Sequence, residues 1–228
     1  IEPDATGVNF TLAEPGDISS PVRINLPGAF NVYNTLAALI VVARLLDVPA
    51  GRLAGTAALL KPVKGRMTVV DAGQPFEVLV DYAHTPSSFL SIFPSLRKRI
   101  AGNIISVFGS GGERDTLKRP EQGQIAGAYS DIVILADEDP RGEDPVELLE
   151  MIAAGITDKK RNETLYIIPD RKQAIRKALS LAGSGDLVLL LGKGHENSII
   201  HKDFTEPYDE IAEAETALGE LGYNGKAF

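Results

Sequence analysis

The sequence predicts an α/β protein whose larger part is a Rossmann-like, doubly wound, mostly parallel sheet that opens with a hairpin. Two observations carry the prediction. From about residue 68 onward, short continuous apolar runs alternate with segments of helical length, the pattern of strands covered by helices on both faces. Four of those runs are followed by polar, charged or glycine-rich residues, and in doubly wound sheets the ligand crevice lies beyond the carboxyl ends of the strands.

The elements follow in order. Lys61-Pro62-Val63-Lys64-Gly65 joins a helix-breaking proline to a glycine and reads as a linker. Before it, extended pieces are expected near 6–12 and 21–26. A helix is expected over 34–46, with apolar spacing at Leu36, Leu39, Ile40, Ala43 and Leu46, and a second over 50–60. About sixty residues are thin for an independent core. They read as the end of a domain whose beginning is absent, and because the first residue is Ile1 the chain is expected to be a fragment. After the linker, 68–70 and 78–81 flank Ala72-Gly73-Gln74 as a hairpin. A helix follows Thr85-Pro86 to about Arg99. Then come strand 104–108, helix 120–129, strand 132–135, helix 145–154, strand 165–168, helix 171–181, strand 187–191 and helix 206–218.

Composition excludes several classes. The chain has 228 residues, 44% hydrophobic and 24% charged, which suits a soluble globular protein of one large domain or two smaller ones. Its 23 Lys plus Arg against 31 Asp plus Glu give a net charge of -8, which argues against a nucleic-acid partner. With no cysteine, disulfides and thiolate metal sites are impossible. Three histidines are too few for a His-rich metal centre. The longest apolar run, 187–191, is far short of a membrane span, and a start carrying Glu2 and Asp4 without basic residues does not read as a signal peptide.

The four clusters are Asp81-Tyr82-Ala83-His84-Thr85-Pro86, then the stretch from Gly109 to Asp115, then Asp137 to Pro145, then Gly192-Lys193-Gly194-His195-Glu196. Each has a plain alternative. Gly109 to Gly112 serve equally well as a tight turn, Asp81 and His84 as a helix cap and a surface imidazole, and Lys193 and His195 as solvated loop residues. Glu143-Asp144-Pro145 suits a helix start, and Arg97-Lys98-Arg99 and Lys159-Lys160-Arg161 suit exposed faces. The third cluster says more. Arg141 beside Glu138 and Asp139 offers carboxylates for an ammonium and a guanidinium fork for a carboxylate, which is what an amino acid zwitterion requires. Gly109-Ser110-Gly111-Gly112-Glu113-Arg114 does not complete a dinucleotide fingerprint, and no Gly-x-x-x-x-Gly-Lys-Ser/Thr phosphate loop is present.

Taken together and in this order, the clusters resemble the Mur ligases, in the branch of the UDP-N-acetylmuramoyl-tripeptide synthetases. The motifs are Asp81 to Pro86, Gly111-Gly112-Glu113-Arg114-Asp115 with Lys118-Arg119-Pro120, Asp139-Pro140-Arg141-Gly142-Glu143-Asp144-Pro145, and Gly192 to Glu196. Upstream, Gly28-Ala29-Phe30-Asn31-Val32-Tyr33-Asn34 with Leu36-Ala37-Ala38 resembles the end of that family's central ATPase domain, and Lys64-Gly65-Arg66-Met67 its interdomain junction. The resemblance implies that 1–63 is the incomplete tail of the central α/β ATPase domain and 64–228 the C-terminal domain that binds the incoming amino acid. It implies a ligase of peptidoglycan precursor synthesis, using ATP and Mg2+. Its substrates would be UDP-MurNAc-L-Ala-D-Glu and a diamino acid, with meso-diaminopimelate favoured and lysine or ornithine as alternatives. It further implies a monomeric, cytoplasmic enzyme without membrane insertion.

Residue by residue, the resemblance places Asn34, Arg66, Asp81 and His84 at ATP, and Arg114, Glu138, Asp139, Pro140, Arg141, Gly192 and Glu196 at the amino acid. It assigns no catalytic residue or metal ligand here, because the phosphate loop, magnesium ligands and carbamylated lysine belong to the absent part; the chain alone is therefore expected to be inactive. One departure stands out: the family motif Asp-Asn-Pro-Arg is Glu138-Asp139-Pro140-Arg141 here. Two other readings compete. One is a ligase of the same superfamily, of the D-alanyl-D-alanine-adding or folylpolyglutamate synthase type; the other is a non-catalytic ligand-binding module.

Overall fold

A computed structural model describes residues 1–3, 7–26 and 28–225. The chain forms two compact units, Ile1–Val63 and Lys64–Phe228.

In the first unit β1 (Glu2–Pro3), β2 (Val8–Glu14) and β3 (Ile18–Ile24) form an antiparallel sheet in that order. Val8, Phe10 and Leu12 are buried and alternate with exposed residues, the two-residue period of a half-covered strand. The expected start of the first extended piece at Thr6 lies outside the described residues. Helix α1 (Phe30–Leu46) begins four residues before the expected Asn34. Its buried stripe is Val32, Thr35, Leu39 and Ala43, at helical steps of three and four. Ile40 and Leu46, expected on the core face, are exposed, because the face that meets the sheet runs through Leu39 and Ala43. The segment expected as a second helix is a 3-10 helix, Ala50–Leu59. Gly51 and Gly55 weaken the α-helical alternative. The Glu14 carboxylate accepts the amides of Ala50 and Gly51 at 2.9 and 2.8 Å and caps the segment.

The second unit is a six-stranded sheet ordered β4-β5-β9-β6-β7-β8. The strands are β4 (Thr68–Val69), β5 (Glu77–Asp81), β6 (Ile104–Phe108), β7 (Ile132–Leu135), β8 (Leu165–Ile167) and β9 (Leu187–Leu191). Only β4 runs antiparallel, in the expected hairpin with β5; the remaining pairs are parallel. Every residue of β6 and β9 is buried, as an apolar run in a doubly covered sheet requires. On one face α5 (Arg171–Leu181) and the C-terminal α6 (Glu210–Glu220) cover Val78, Val80, Ile105, Val107, Val188 and Leu190. On the other lie α2 (Pro86–Arg99), α3 (Lys118–Tyr129) and α4 (Pro145–Ala153), with Phe89 of α2 edge-on to Phe108 at 5.1 Å.

One expected element is corrected. The helix expected over 206–218 starts at Glu210, and the residues before it form a hairpin of β10 (Ser198–Ile200) and β11 (Thr205–Pro207). Pro207 suits a strand end better than a helix, and Asp209 caps α6 by accepting the amides of Ile211 and Ala212. Helix α3 opens at Lys118, two residues early, with Pro120 tolerated in its first turn. The basic runs are more than solvated faces. Arg97 holds Asp131 at 2.7 Å and the carbonyls of Ile100 and Gly102, and Arg161 pairs with Glu150. Among the described residues no helix is long and apolar enough to cross a membrane.

Candidate functional site

Strands β5, β9, β6 and β7 are neighbours and parallel, so the four clusters emerge at one sheet edge. At the end of β5, Asp81 is buried and accepts the amides of Met67 and Ala83, both at 2.8 Å. Burial raises its pKa, and those two amides and Arg66 pull against the rise. The helix cap read as an alternative for Asp81 belongs to Thr85, whose hydroxyl accepts the Ser88 amide at 3.2 Å in a capping box.

Next in the chain, Tyr82 carries the Arg66 guanidinium over its ring at 4.6 Å, with the rings of His84 and His195 at 4.7 and 4.9 Å. Its hydroxyl donates to Glu196 Oε1 at 3.2 Å, and burial, followed by the Glu196 charge, raises its pKa. The His84 carbonyl accepts Lys118 Nζ at 3.3 Å and Gln122 Nε2 at 2.9 Å. Gly65 has a left-handed φ of 71, and a Cβ there would stand 2.2 Å from the Gly194 carbonyl carbon, so both the backbone and the close approach require glycine.

The loop after β7 meets the turn after β9. Asp139 Oδ1 accepts Lys193 Nζ and the Ile200 amide, each at 2.9 Å, and Oδ2 lies 3.7 Å from Arg141 Nη2. The Asp139 carbonyl accepts the Gly112 amide at 2.8 Å, tying in the loop after β6. Arg141 takes a left-handed φ of 53 and donates its amide to the Ile200 carbonyl, so hairpin β10–β11 backs the motif. Lys193 is fully buried and also reaches Glu196 at 2.7 Å. Glu138 is buried, and its Oε2 has no hydrogen-bond partner among the described residues. Burial raises its pKa against the pull of Arg171, His84, Lys118 and Lys193. Pro140 is buried between these loops.

The structure thus brings Arg66, Asp81, His84, Glu138, Asp139, Pro140, Arg141, Gly192 and Glu196 to one edge, the Gly192 amide donating to the Asp81 carbonyl at 3.1 Å. Arg114 stands apart, exposed on the loop after β6 with no polar partner among the described residues. Asn34 lies in the first unit, exposed, donating to Asn31 Oδ1 at 3.2 Å. The sequence reading missed the burial of Lys193 and gave no role to Tyr82, Lys118 or Gln122. A charged residue between two glycines directly after an all-apolar strand was the available signal for Lys193. Among the described residues no group of three or more His, Cys, Asp or Glu is placed to hold a metal ion.

A doubly wound domain with a charged, partly buried cluster at the carboxyl ends of its strands belongs to the α/β class whose ligands bind at that edge. A profile described as "Mur ligase, glutamate ligase domain" matches residues 65–194, and the chain belongs to the Mur ligase family. The chain is 60% identical over 225 residues to a UDP-N-acetylmuramyl-tripeptide synthetase of Treponema denticola, covering 96% of this chain and 42% of that protein. It is 50% identical to a protein of the same name from Roseiflexus sp., over 96% of this chain and 43% of that one. Among solved structures, a UDP-N-acetylmuramoyl-L-alanyl-D-glutamate--2,6-diaminopimelate ligase superposes with a TM-score of 0.67 at 32% identity, covering 97% of this chain and 44% of the other. The chain therefore spans about two fifths of the curated relatives it matches. These likenesses bear out the family resemblance read from the motifs.

Proposed function

We propose that this chain is the amino-acid-accepting part of an ATP-dependent ligase that joins a diamino acid to UDP-MurNAc-L-alanyl-D-glutamate. In that reading 64–228 is the amino-acid-binding domain and 1–63 the end of an ATPase domain. The phosphate loop and the Mg2+ ligands belong to other parts of the longer ligase, and the chain alone does not turn over. The observation that carries the reading is the row of Arg141, Asp139, Lys193 and Glu196, four alternating charges each within 4 Å of the next at the sheet edge. The relatives, named as tripeptide synthetases and a diaminopimelate ligase, support it.

The chemistry explains why such a pocket is needed. A carboxylate is a poor electrophile, so ATP first phosphorylates it; the amine then attacks the acyl phosphate and phosphate leaves. The rate depends on holding the amine in line with the acyl carbon and away from water. Arg66, Asp81 and His84 form the ATP side of 64–228; Asn34, in 1–63, is assigned to ATP by the family resemblance alone. The loop at Glu138–Arg141 and the turn at Gly192–Glu196 form the amino-acid side, with Arg114 free to close on a substrate carboxylate.

The diamino acid is meso-diaminopimelate in this reading. Lys193 and the Ile200 amide take up the Asp139 charge at 2.9 Å, which leaves the more distant Arg141 fork for a distal carboxylate. A second reading, lysine or ornithine, draws on the same pair: Asp139 Oδ2 faces Arg141 and offers a bare ammonium a carboxylate. Assaying the full-length ligase with each amino acid decides between them, and a clear preference for lysine or ornithine sinks the first. In the same enzyme Arg114→Ala should raise KM for the amino acid by about ten- to a hundredfold, the cost of one lost charged hydrogen bond, with KM for ATP little changed. Equal rises in both would remove Arg114 from the amino-acid side.

A further inference from the structure

Behind the two arms of the pocket lies a buried ion pair. Arg171 opens α5 and Glu210 opens α6, and both side chains are wholly buried. Arg171 Nε and Nη2 donate to the two Glu210 oxygens at 2.9 and 2.6 Å. Nη1 donates to the Asp137 carbonyl at 3.1 Å, and Nη2 also to the Leu191 carbonyl at 2.6 Å. The Tyr208 hydroxyl donates to Glu210 as well. The Asp137 carbonyl lies two residues beyond β7 and the Leu191 carbonyl at the end of β9, strands that β6 separates in the sheet. The residues that follow them are Glu138 and Gly192.

Stability does not account for this arrangement. A cation at a helix N-terminus opposes the helix dipole, and a buried ion pair recovers little beyond its desolvation cost. What a guanidinium supplies is a rigid planar fork able to hold four acceptors at fixed separation. We infer that Arg171, locked by Glu210 and Tyr208, is a positioning residue that fixes the spacing between the Glu138–Arg141 loop and the Gly192–Glu196 turn and so tunes the grip on the incoming amino acid. The inference rests on the proposed function above. On the ATP side, the Asp81 carboxylate is held by Met67 and Ala83 and the His84 carbonyl by Lys118 and Gln122, none of them bonded to Arg171; the Gly192 amide also donates to the Asp81 carbonyl at 3.1 Å, a link through backbone rather than through the Asp81 side chain.

The test uses the full-length ligase with Arg171→Lys and Tyr208→Phe, measuring kcat, KM for the diamino acid, KM for ATP and the thermal midpoint. Lysine keeps the charge and loses the fork. Arg171→Lys is expected to raise the amino-acid KM about tenfold or more, as a small misplacement of substrate-holding groups does, with the ATP KM within about twofold. Tyr208→Phe, which leaves the ion pair in place, should act in the same direction but less. A purely structural role would shrink the folded fraction, lowering apparent kcat at unchanged KM. An unchanged amino-acid KM in folded Arg171→Lys, or equal rises in both KM values, overturns the inference. If Arg171→Lys does not fold, Tyr208→Phe decides, and an amino-acid KM equal to that of the unaltered enzyme overturns it. Failure of the unaltered enzyme to use any diamino acid would sink the proposed function itself.

Discussion

Asp137 stands at the end of β7, 8% exposed, and burial lifts its carboxyl from an ordinary 3.8 to about 6. Arg171 works against that rise, while Asp170 and Asp144 add to it. The folded chain therefore holds this proton more tightly than the unfolded chain does. Its stabilising contribution is complete below about pH 4 and is lost as pH rises through about 6. At neutral pH the buried charge costs about 2–3 kcal/mol. Asp137→Asn should thus raise stability at pH 7.5 by about 1–3 kcal/mol, a gain that shrinks toward pH 4. Denaturant unfolding at the two pH values checks it, and a gain independent of pH would show that Asp137 is not the group that titrates. At this scale the sequence was legible where charge and type sufficed. Glu138, Asp139 and Arg141 stood out as neighbours of opposite charge, and Asp139 bonds Lys193, which in turn reaches Glu196. The place of Lys193 between two glycines was legible, but its burial was not, because Glu196 three residues on is only half of its neutralisation and Asp139 arrives from far back in the chain.

Elements were legible where the hydrophobic period was long and the punctuation clear. Strands 104–108, 132–135 and 187–191 and helix 171–181 lie where the apolar runs placed them. The hairpin β10–β11 was not, because three-residue strands carry too little periodicity to be told from loop. In α1 the helix was legible and its buried stripe was not, since Leu39 and Ile40 are equally apolar and only the sheet chooses between them. Helix α2 raises a different question. It contains Pro94 on its exposed side, where a proline has no amide for the carbonyl one turn back. Such a residue costs about 3 kcal/mol relative to alanine in an unconstrained helix. Phe89, Phe93 and Leu96 pack on the buried side whether or not Pro94 is present. Pro94→Ala is therefore expected to stabilise the chain by about 1–3 kcal/mol, read from the denaturant midpoint. A loss of stability would mean that Pro94 itself helps to seat Phe93 and Leu96.

At the scale of the whole molecule, the two units differ in how well each encloses a core. The second has a sheet covered by helices on both faces, with a continuous core running from β5 through β9, β6 and β7 beneath α5 and α6. The first has one three-stranded sheet, one α-helix and a 3-10 helix. Its α1 leaves Val41 57%, Leu45 79% and Leu46 60% exposed, an apolar strip of the kind soluble monomers rarely show. Domains of about sixty residues bury little of their surface and are marginal even when well formed. Residues 64–228 expressed alone should therefore unfold cooperatively, with a thermal midpoint close to the main transition of the whole chain. Residues 1–63 alone should show weak secondary structure by circular dichroism and self-association at raised concentration. If 64–228 instead melted without a cooperative transition, the second unit would owe its order to the first. The division read from Pro62 and Gly65 would then mark a bend in the chain rather than a boundary of stability.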